Sequence, residues 1–280
     1  MTSTTSFAAR LERRIRARDT LVCVGLDPVP DHLPARFGSD AASVVRFCEE
    51  IVAATHQYVA AYKPNLAFFT QLGRDGLHAL WDVRQAIPPD VPVILDCKVG
   101  DVEGTARAYA HGWFDEFGFD AITVNPYLGE DSLAPFFEYP DKGVIVISKT
   151  SNPGSGDFQD RPVDGVEPLY QTVANRCRDW EGAYPASVGL VVGATYPEEL
   201  QAVRQRVGNQ VILLPGVGAQ GGDVAASLRA GLDDRGTGLL CSASRSVLFA
   251  SSGDDFAQAA QAVTRELRDE INGIRAGVSA

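Results

Sequence analysis

Short, nearly continuous apolar runs recur along the chain. They are separated by longer segments whose apolar residues return every three or four positions. The runs lie at Leu21–Leu26, Tyr58–Lys63, Pro92–Asp96, Ala121–Val124, Gly143–Ser148, Val188–Val192, Val211–Leu214 and Gly238–Cys241. They lack the in-out alternation of a sheet wetted on one face, so they read as parallel strands covered by helices. Helical spacing marks Ala41–Thr55, where Val44, Val45, Cys48, Ile51 and Val52 share a face, and also Leu77–Ala86, Gly104–Phe117, Leu169–Trp180, Pro197–Val207, Val224–Ala230 and about Phe256–Ile274. Eight strand–helix units without a Gly/Ser-rich or Pro-rich linker predict one α/β domain over residues 1–280, a (β/α)8 barrel. A doubly wound open sheet is the alternative, weakened because no G-x-G-x-x-G follows the first strand. Phe7, Leu11 and Ile15 repeat every four residues among arginines. Residues 1–20 therefore predict an amphipathic helix packed on the domain rather than a targeting segment.

Composition narrows the partners. Hydrophobic residues make up 45% of the chain and charged residues 22%, ordinary proportions for a globular domain. No run approaches the roughly 18 apolar residues of a membrane span. A net charge of −11 argues against nucleic acid, which is bound through clustered Lys and Arg. A small anionic ligand needs only a locally positive pocket. The cysteines, Cys23, Cys48, Cys97, Cys177 and Cys241, are odd in number and form no C-x-x-C pair. They predict buried thiols in a reducing, cytoplasmic setting, with neither disulfide framework nor zinc site. His32, His56, His78 and His111 show no ligand spacing, and no H-E-x-x-H, calcium loop or G-x-S-x-G occurs. No metal or organic cofactor is expected.

Barrel enzymes carry their chemistry where the strands end, and the polar residues closing the runs are concentrated there. The first run ends in Gly25-Leu26-Asp27-Pro28, the second in Lys63-Pro64-Asn65, the third in Asp96-Cys97-Lys98-Val99-Gly100-Asp101. Residues two apart in a strand point the same way, so Asp96 and Lys98 are expected to face the barrel mouth together, beside Lys63. Alone, each has a plainer reading. Asp101 could cap a helix, Asp27-Pro28 could be a turn, Lys63 a solvated strand end, and Asp96–Lys98 a structural ion pair. Together on three strand ends they point to a site, because a packed array of charges costs desolvation energy that stability alone does not explain.

Two further segments belong to this face. Residues 215–223, after the seventh run, hold Gly216, Gly218, Gly221 and Gly222, which permit close backbone approach to a ligand. Ser244 and Arg245 follow the eighth run. The loops after strands seven and eight of such barrels commonly bind phosphate, and Arg245 could add a bidentate contact. Residues 149–166, without apolar periodicity, read as an active-site loop or lid, the alternative being disorder without consequence.

The string Leu95-Asp96-Cys97-Lys98-Val99-Gly100-Asp101 resembles the D-x-K-x-x-D signature of the orotidine 5'-phosphate decarboxylase family. The resemblance extends to Gly25-Leu26-Asp27, Lys63-Pro64-Asn65, Thr105, Ser151-Asn152-Pro153-Gly154, Pro215 through Gly222, and Arg245, in the manner of the family's longer microbial subgroup. It implies decarboxylation of orotidine 5'-monophosphate to uridine 5'-monophosphate, the last step of UMP biosynthesis, without cofactor or metal. It implies that Lys98 donates a proton to C6 of the pyrimidine, within a tetrad completed by Lys63, Asp96 and Asp101. Asp27 and Lys63 would hold the ribose, Ser151 the pyrimidine edge, Gln220 both base and phosphate, and Ser244 and Arg245 the phosphate end. Asp101 and Thr105 would reach the neighbouring subunit's site, implying a homodimer with shared active sites. Asn152, where some relatives have His, and Ser244, where Gly is common, depart from the pattern. Related sugar-phosphate enzymes on this scaffold use magnesium and usually carry Glu where Lys63 stands. A non-catalytic phosphate sensor would need only the phosphate loops.

Overall fold

The computed structural model describes residues 5–217 and 223–278. Eight parallel strands form its centre: β1 (Val22–Leu26), β2 (Ala61–Pro64), β3 (Ile94–Val99), β4 (Ala121–Val124), β5 (Gly143–Lys149), β6 (Ser187–Val192), β7 (Ile212–Pro215) and β8 (Leu239–Ala243). Their spatial order is β2-β1-β8-β7-β6-β5-β4-β3. Parallel bridges from Tyr62 to Val93 and from Asn65 to Asp96 join β2 to β3 and close the ring. Every residue of β1, β6 and β8 is buried. This accounts for the unbroken apolar runs, since both faces of a barrel strand are covered.

The outer layer holds α2 (Ala41–Thr55), α3 (Gly76–Ala86), α4 (Glu103–Ala110), α5 (Leu169–Ala183), α6 (Pro197–Val207), α7 (Val224–Gly231) and α8 (Phe256–Val278), while α1 (Phe7–Arg18) precedes the barrel. In α1 the expected stripe of Phe7, Leu11 and Ile15 is buried. The Ala8 N–H donates to Ser187 Oγ at 3.1 Å, and a Cβ on Gly143 would lie 2.5 Å from the Phe7 ring. Because Gly143 and Ser187 begin β5 and β6, α1 plugs the bottom of the barrel and leaves the strand ends free.

Two units depart from the pattern expected of them. The fourth has, between β4 and β5, a 3-10 turn at Pro126–Leu128 and a single α-helical turn at Ala134–Phe137 in place of a full helix. The segment expected as one helix over Gly104–Phe117 changes to π geometry at His111–Glu116. The wider turn lets the consecutive residues Trp113 and Phe114 both face the core.

Candidate active site

The strand ends gather three of the expected residues into one knot. The carboxylate of Asp96 accepts four hydrogen bonds. Its Oδ2 is 3.0 Å from Lys63 Nζ and 3.1 Å from Asn65 Nδ2. Its Oδ1 is 2.5 Å from Lys98 Nζ and 2.9 Å from Thr123 Oγ1. A carboxylate offers about four lone-pair positions, so Asp96 is saturated and fixed in orientation. Burial by itself would raise its pKa, but the Lys63 and Lys98 ammoniums outweigh that and hold the carboxyl well below the usual range. For Lys63, burial pulls the other way, yet Asp96 and then Asp27 keep the ammonium charged above the ordinary lysine range. Lys63 is thus not a solvated strand end. Its side chain is 6% exposed and that of Asp96 10%, whereas Lys98 is 46% exposed. A cavity of about 430 Å³ borders Asn65, Leu66, Thr70, Asp96 and Lys98.

Asp96 and Lys98 do face one another, but simple strand alternation is not the reason. The pairing of β3 with β4 runs from Leu95 opposite Ile122 to Val99 opposite Val124. Four residues of β3 therefore span two of β4, and the strand bulges. Within the bulge Lys98 has φ +50°, a left-handed conformation costing about 1–2 kcal/mol for a residue with a Cβ. The N–H groups of Cys97 and Lys98, deprived of carbonyl partners on β4, donate to Thr123 Oγ1 at 3.1 and 3.0 Å. Strain at a residue that carries chemistry is a recurrent feature of functional sites.

The remaining expected residues fall into separate places. Asp27 follows β1 and Ser244 follows β8. A Cβ on Gly25 would lie 2.8 Å from Ser244 Cβ and 3.2 Å from Asp27 Oδ2, so glycine is what lets these two strand ends meet. Both present a buried oxygen, Asp27 Oδ1 and Ser244 Oγ, with no hydrogen-bond partner among the described residues. Arg245 opens the short helix Arg245–Leu248 and is exposed. Ser151 follows β5 and packs on Gly193, where a Cβ would meet its backbone N at 2.9 Å. Gln220 and most of residues 215–223 lie outside the described residues. Asp101 caps no helix, since α4 begins at Glu103 with Val102 as its N-cap. Its Oδ1 accepts from the Val102 N–H at 2.7 Å, and among the described residues no ion pair joins it to Lys63 or Lys98. Thr105 is exposed on α4.

Two residues in this region, Thr123 and Lys149, escaped the sequence reading, and Asn65 was read only as part of the Lys63-Pro64-Asn65 string, with no role of its own. Asn65 and Thr123 bond Asp96 directly, yet a threonine in an apolar strand carries no visible signal. Lys149 was expected to begin a loop. It instead ends β5 with its side chain 1% exposed, its Nζ 2.5 Å from Asp160 and 3.2 Å from Ser155 Oγ, and the Tyr196 ring centre 4.7 Å away. Nor are residues 149–166 without structure. Pro153–Asp157 forms a 3-10 turn, and Pro162–Val163 pairs antiparallel with Glu167–Pro168. The Thr150 N–H donates to Gln159 Oε1 at 2.9 Å. Polar side chains order this segment, so an apolar period could not reveal it.

A parallel barrel whose strand ends converge buried, fixed charges on an exposed ammonium defines a class, a (β/α)8-barrel enzyme. Comparison with known proteins is specific. The chain belongs to the family described as Orotidine 5'-phosphate decarboxylase / HUMPS family, whose model matches residues 20–262. It is 48% identical over 275 residues to an orotidine 5'-phosphate decarboxylase of Thermomicrobium roseum, covering 98% of each chain. With the corresponding protein of Bordetella petrii it shares 46% identity, over 96% of this chain and 100% of that one. Among solved structures, the OMP decarboxylase of Leishmania donovani aligns with a TM-score of 0.83 at 43% identity, covering 97% of this chain and 99% of that one. The UMP synthase of Leishmania donovani aligns with a TM-score of 0.87 at 45% identity. There 97% of this chain is covered, and this chain spans 57% of the length of that one.

Proposed function

We propose that the chain decarboxylates orotidine 5'-monophosphate to uridine 5'-monophosphate in pyrimidine biosynthesis, with Lys98 as the proton donor. The observation that carries this reading is the half-exposed Lys98 ammonium held 2.5 Å from a buried, saturated Asp96. Breaking the bond from C6 to the carboxylate releases carbon dioxide and leaves an electron pair on C6. The pyrimidine π system does not delocalise that pair, so a fixed cation beside C6 lowers the energy of the developing charge. Lys98 then delivers its proton to C6 and regains one from solvent. Asp96 has no free lone pair for the substrate. It acts by aiming Lys98 and by its negative charge near the departing carboxylate.

The outlying residues suit the ends of the same ligand. The unpartnered Asp27 Oδ1, next to the Lys63 strand, supports a hold on the ribose hydroxyls. Ser151 lies at the end of β5, as a contact to the pyrimidine edge requires. Ser244, Arg245 and the loop containing Gln220 follow β8 and β7, where barrels bind phosphate. Binding energy from that remote phosphate would close the site around the reacting centre. Asp101 is half-buried and Thr105 exposed, and Val102, Tyr127 and Leu128 are exposed apolar residues at 62%, 80% and 48%. This supports a homodimer in which each subunit lends Asp101 to its partner's site. All five cysteines are free, which suits a cytoplasmic enzyme.

The test is the fall in absorbance as purified protein consumes orotidine 5'-monophosphate, with and without EDTA, for wild type and Lys98→Ala. Wild type should turn over equally in both conditions. Lys98→Ala should bind uridine 5'-monophosphate yet lose turnover by about 10³-fold or more. Near-full turnover by Lys98→Ala would overturn the proton-donor role, and EDTA sensitivity would favour a metal-using relative.

A further inference from the structure

We propose that Thr123 is a positioning residue for the proton transfer: one buried hydroxyl fixes both the direction of Lys98 and the orientation of Asp96. The proposal rests on the reading of Lys98 as the donor. Thr123 lies in the middle of β4 and is wholly buried. A hydroxyl has one hydrogen to donate and two lone pairs to accept with. Thr123 uses all three. It accepts from the backbone N–H of Cys97 and of Lys98, at 3.1 and 3.0 Å, and donates to Asp96 Oδ1 at 2.9 Å.

The arrangement has a direction. The hydroxyl proton must go to Asp96, because both lone pairs already face backbone donors. The two N–H groups belong to the bulge residues that have no carbonyl opposite them on β4. Without the hydroxyl these part-buried N–H groups would lose their partner, and Lys98 would lose its own hydrogen bond to β4, leaving the bulge joined to that strand by the Val99–Val124 pairing and the Cys97 Sγ contact to the Thr123 carbonyl. A Lys98 that relaxed toward ordinary strand geometry would carry its ammonium away from the point where Asp96 now meets it. Displacements of about 1 Å at a reacting group can cost 10²-fold in rate. Asp96 would meanwhile lose one of the two donors fixing Oδ1, the other being Lys98 itself. Among the described residues, no other side chain bonds both partners of the Asp96–Lys98 pair through one atom.

Thr123→Val keeps the shape of the side chain and removes the hydroxyl; Thr123→Ser keeps the hydroxyl and removes the methyl. Steady-state kinetics and uridine 5'-monophosphate binding are measured for both, beside Lys98→Ala. The expected result is a kcat about 10- to 100-fold lower for Thr123→Val, with KM and product affinity within threefold of wild type. Thr123→Ser should return kcat to within threefold. A Thr123→Val enzyme with kcat within threefold overturns the proposal. So does a loss confined to KM, or a Thr123→Ser enzyme as slow as the valine variant. A chain that cannot fold as either Thr123→Val or Thr123→Ala makes the residue a structural one and overturns it as well. If Lys98→Ala stays active, the donor reading fails whatever Thr123 does. If Lys98→Ala is inactive while Thr123→Val is fully active, only the positioning role fails.

Discussion

Lys98 and Lys149 each lie at or near the end of a barrel strand, and each holds its Nζ 2.5 Å from an aspartate oxygen. Their burial is opposite. Lys98 is 46% exposed while its partner Asp96 is 10% exposed; Lys149 is 1% exposed while Asp160 is 48% exposed. In the first pair the carboxylate is sunk into the barrel and turns a cation outward, toward the cavity. In the second the cation is sunk between Asp160, Ser155 and the Tyr196 ring, and only the carboxylate meets water. The backbones differ in the same sense. Both strands shift register here, but Lys98 lies inside its bulge at positive φ, whereas Lys149 closes its own, paired with Val192 at the end of β5. The pair that turns its cation toward the cavity has backbone strain at the lysine and three further donors on its buried carboxylate. An ion pair that ties down a segment needs only burial of its cation and a ring face to shield it. Lys149 is the tether of residues 150–168, on which Ser151 is carried.

The sharpest way to break this contrast is to remove the buried member of the first pair. Asp96→Asn leaves Lys63 buried beside Lys98 with only the weaker field of Asp27 as counter-charge, and puts amide hydrogens where an acceptor stood. Turnover should fall by about 10³-fold or more. Urea unfolding should show a loss of about 3–5 kcal/mol, as when one partner of a buried pair is deleted. A variant within 1 kcal/mol of wild type would mean that the knot is solvated after all. A smaller effect is expected from Lys149→Met, which fills the same space without charge and leaves Asp160 in water. Its stability should stay within about 2 kcal/mol of wild type. Its KM should rise about tenfold, with kcat changed by less than that, because a loosened loop weakens binding more than chemistry. Limited proteolysis between residues 150 and 168 should quicken. An unchanged KM would show that the tether has no bearing on the site.

The same contrast separates what could be read from the sequence. The barrel was legible because both faces of its strands are covered, so apolar runs such as Val188–Val192 appear unbroken. Asp27, Lys63, Asp96, Lys98 and Arg245 were legible because charged residues stand out where an apolar run stops. Three things were hidden. Asp96 and Lys98 meet through a bulge, and alternation along a regular strand gave the right pairing for an incomplete reason. Thr123 and Asn65 are uncharged, and their bonds join β4 to β3 and β2 to β3, contacts that no local pattern encodes. Lys149 looked like the first residue of a loop, because its partner lies eleven residues on in a segment ordered by polar side chains. What the sequence conceals is the set of residues that orient the charges, since these are chosen for geometry across strands.

The smallest effect concerns acid, and its sign follows from Asp96. Although burial opposes it, the two ammoniums hold the Asp96 carboxyl in the folded chain well below the usual range. The unfolded chain titrates this group near pH 3.9. As the pH drops through that value the unfolded state takes up a proton that the folded state still refuses, so unfolding is favoured. The contribution is therefore whole above the ordinary carboxylate range and fades as the pH falls toward the depressed folded value. Lys63 stays charged throughout this range, because its pKa is raised rather than lowered, and adds no slope there. The stability gap between wild type and Asp96→Asn, read by urea unfolding, should be level from pH 6 to pH 5. It should narrow by about 1 kcal/mol between pH 5 and pH 3, approaching a slope of about 1.4 kcal/mol per pH unit. If the Asp96→Asn gap stayed level down to pH 3, the carboxyl would titrate alike in both states, and the burial that distinguishes the two pairs would have no energetic consequence.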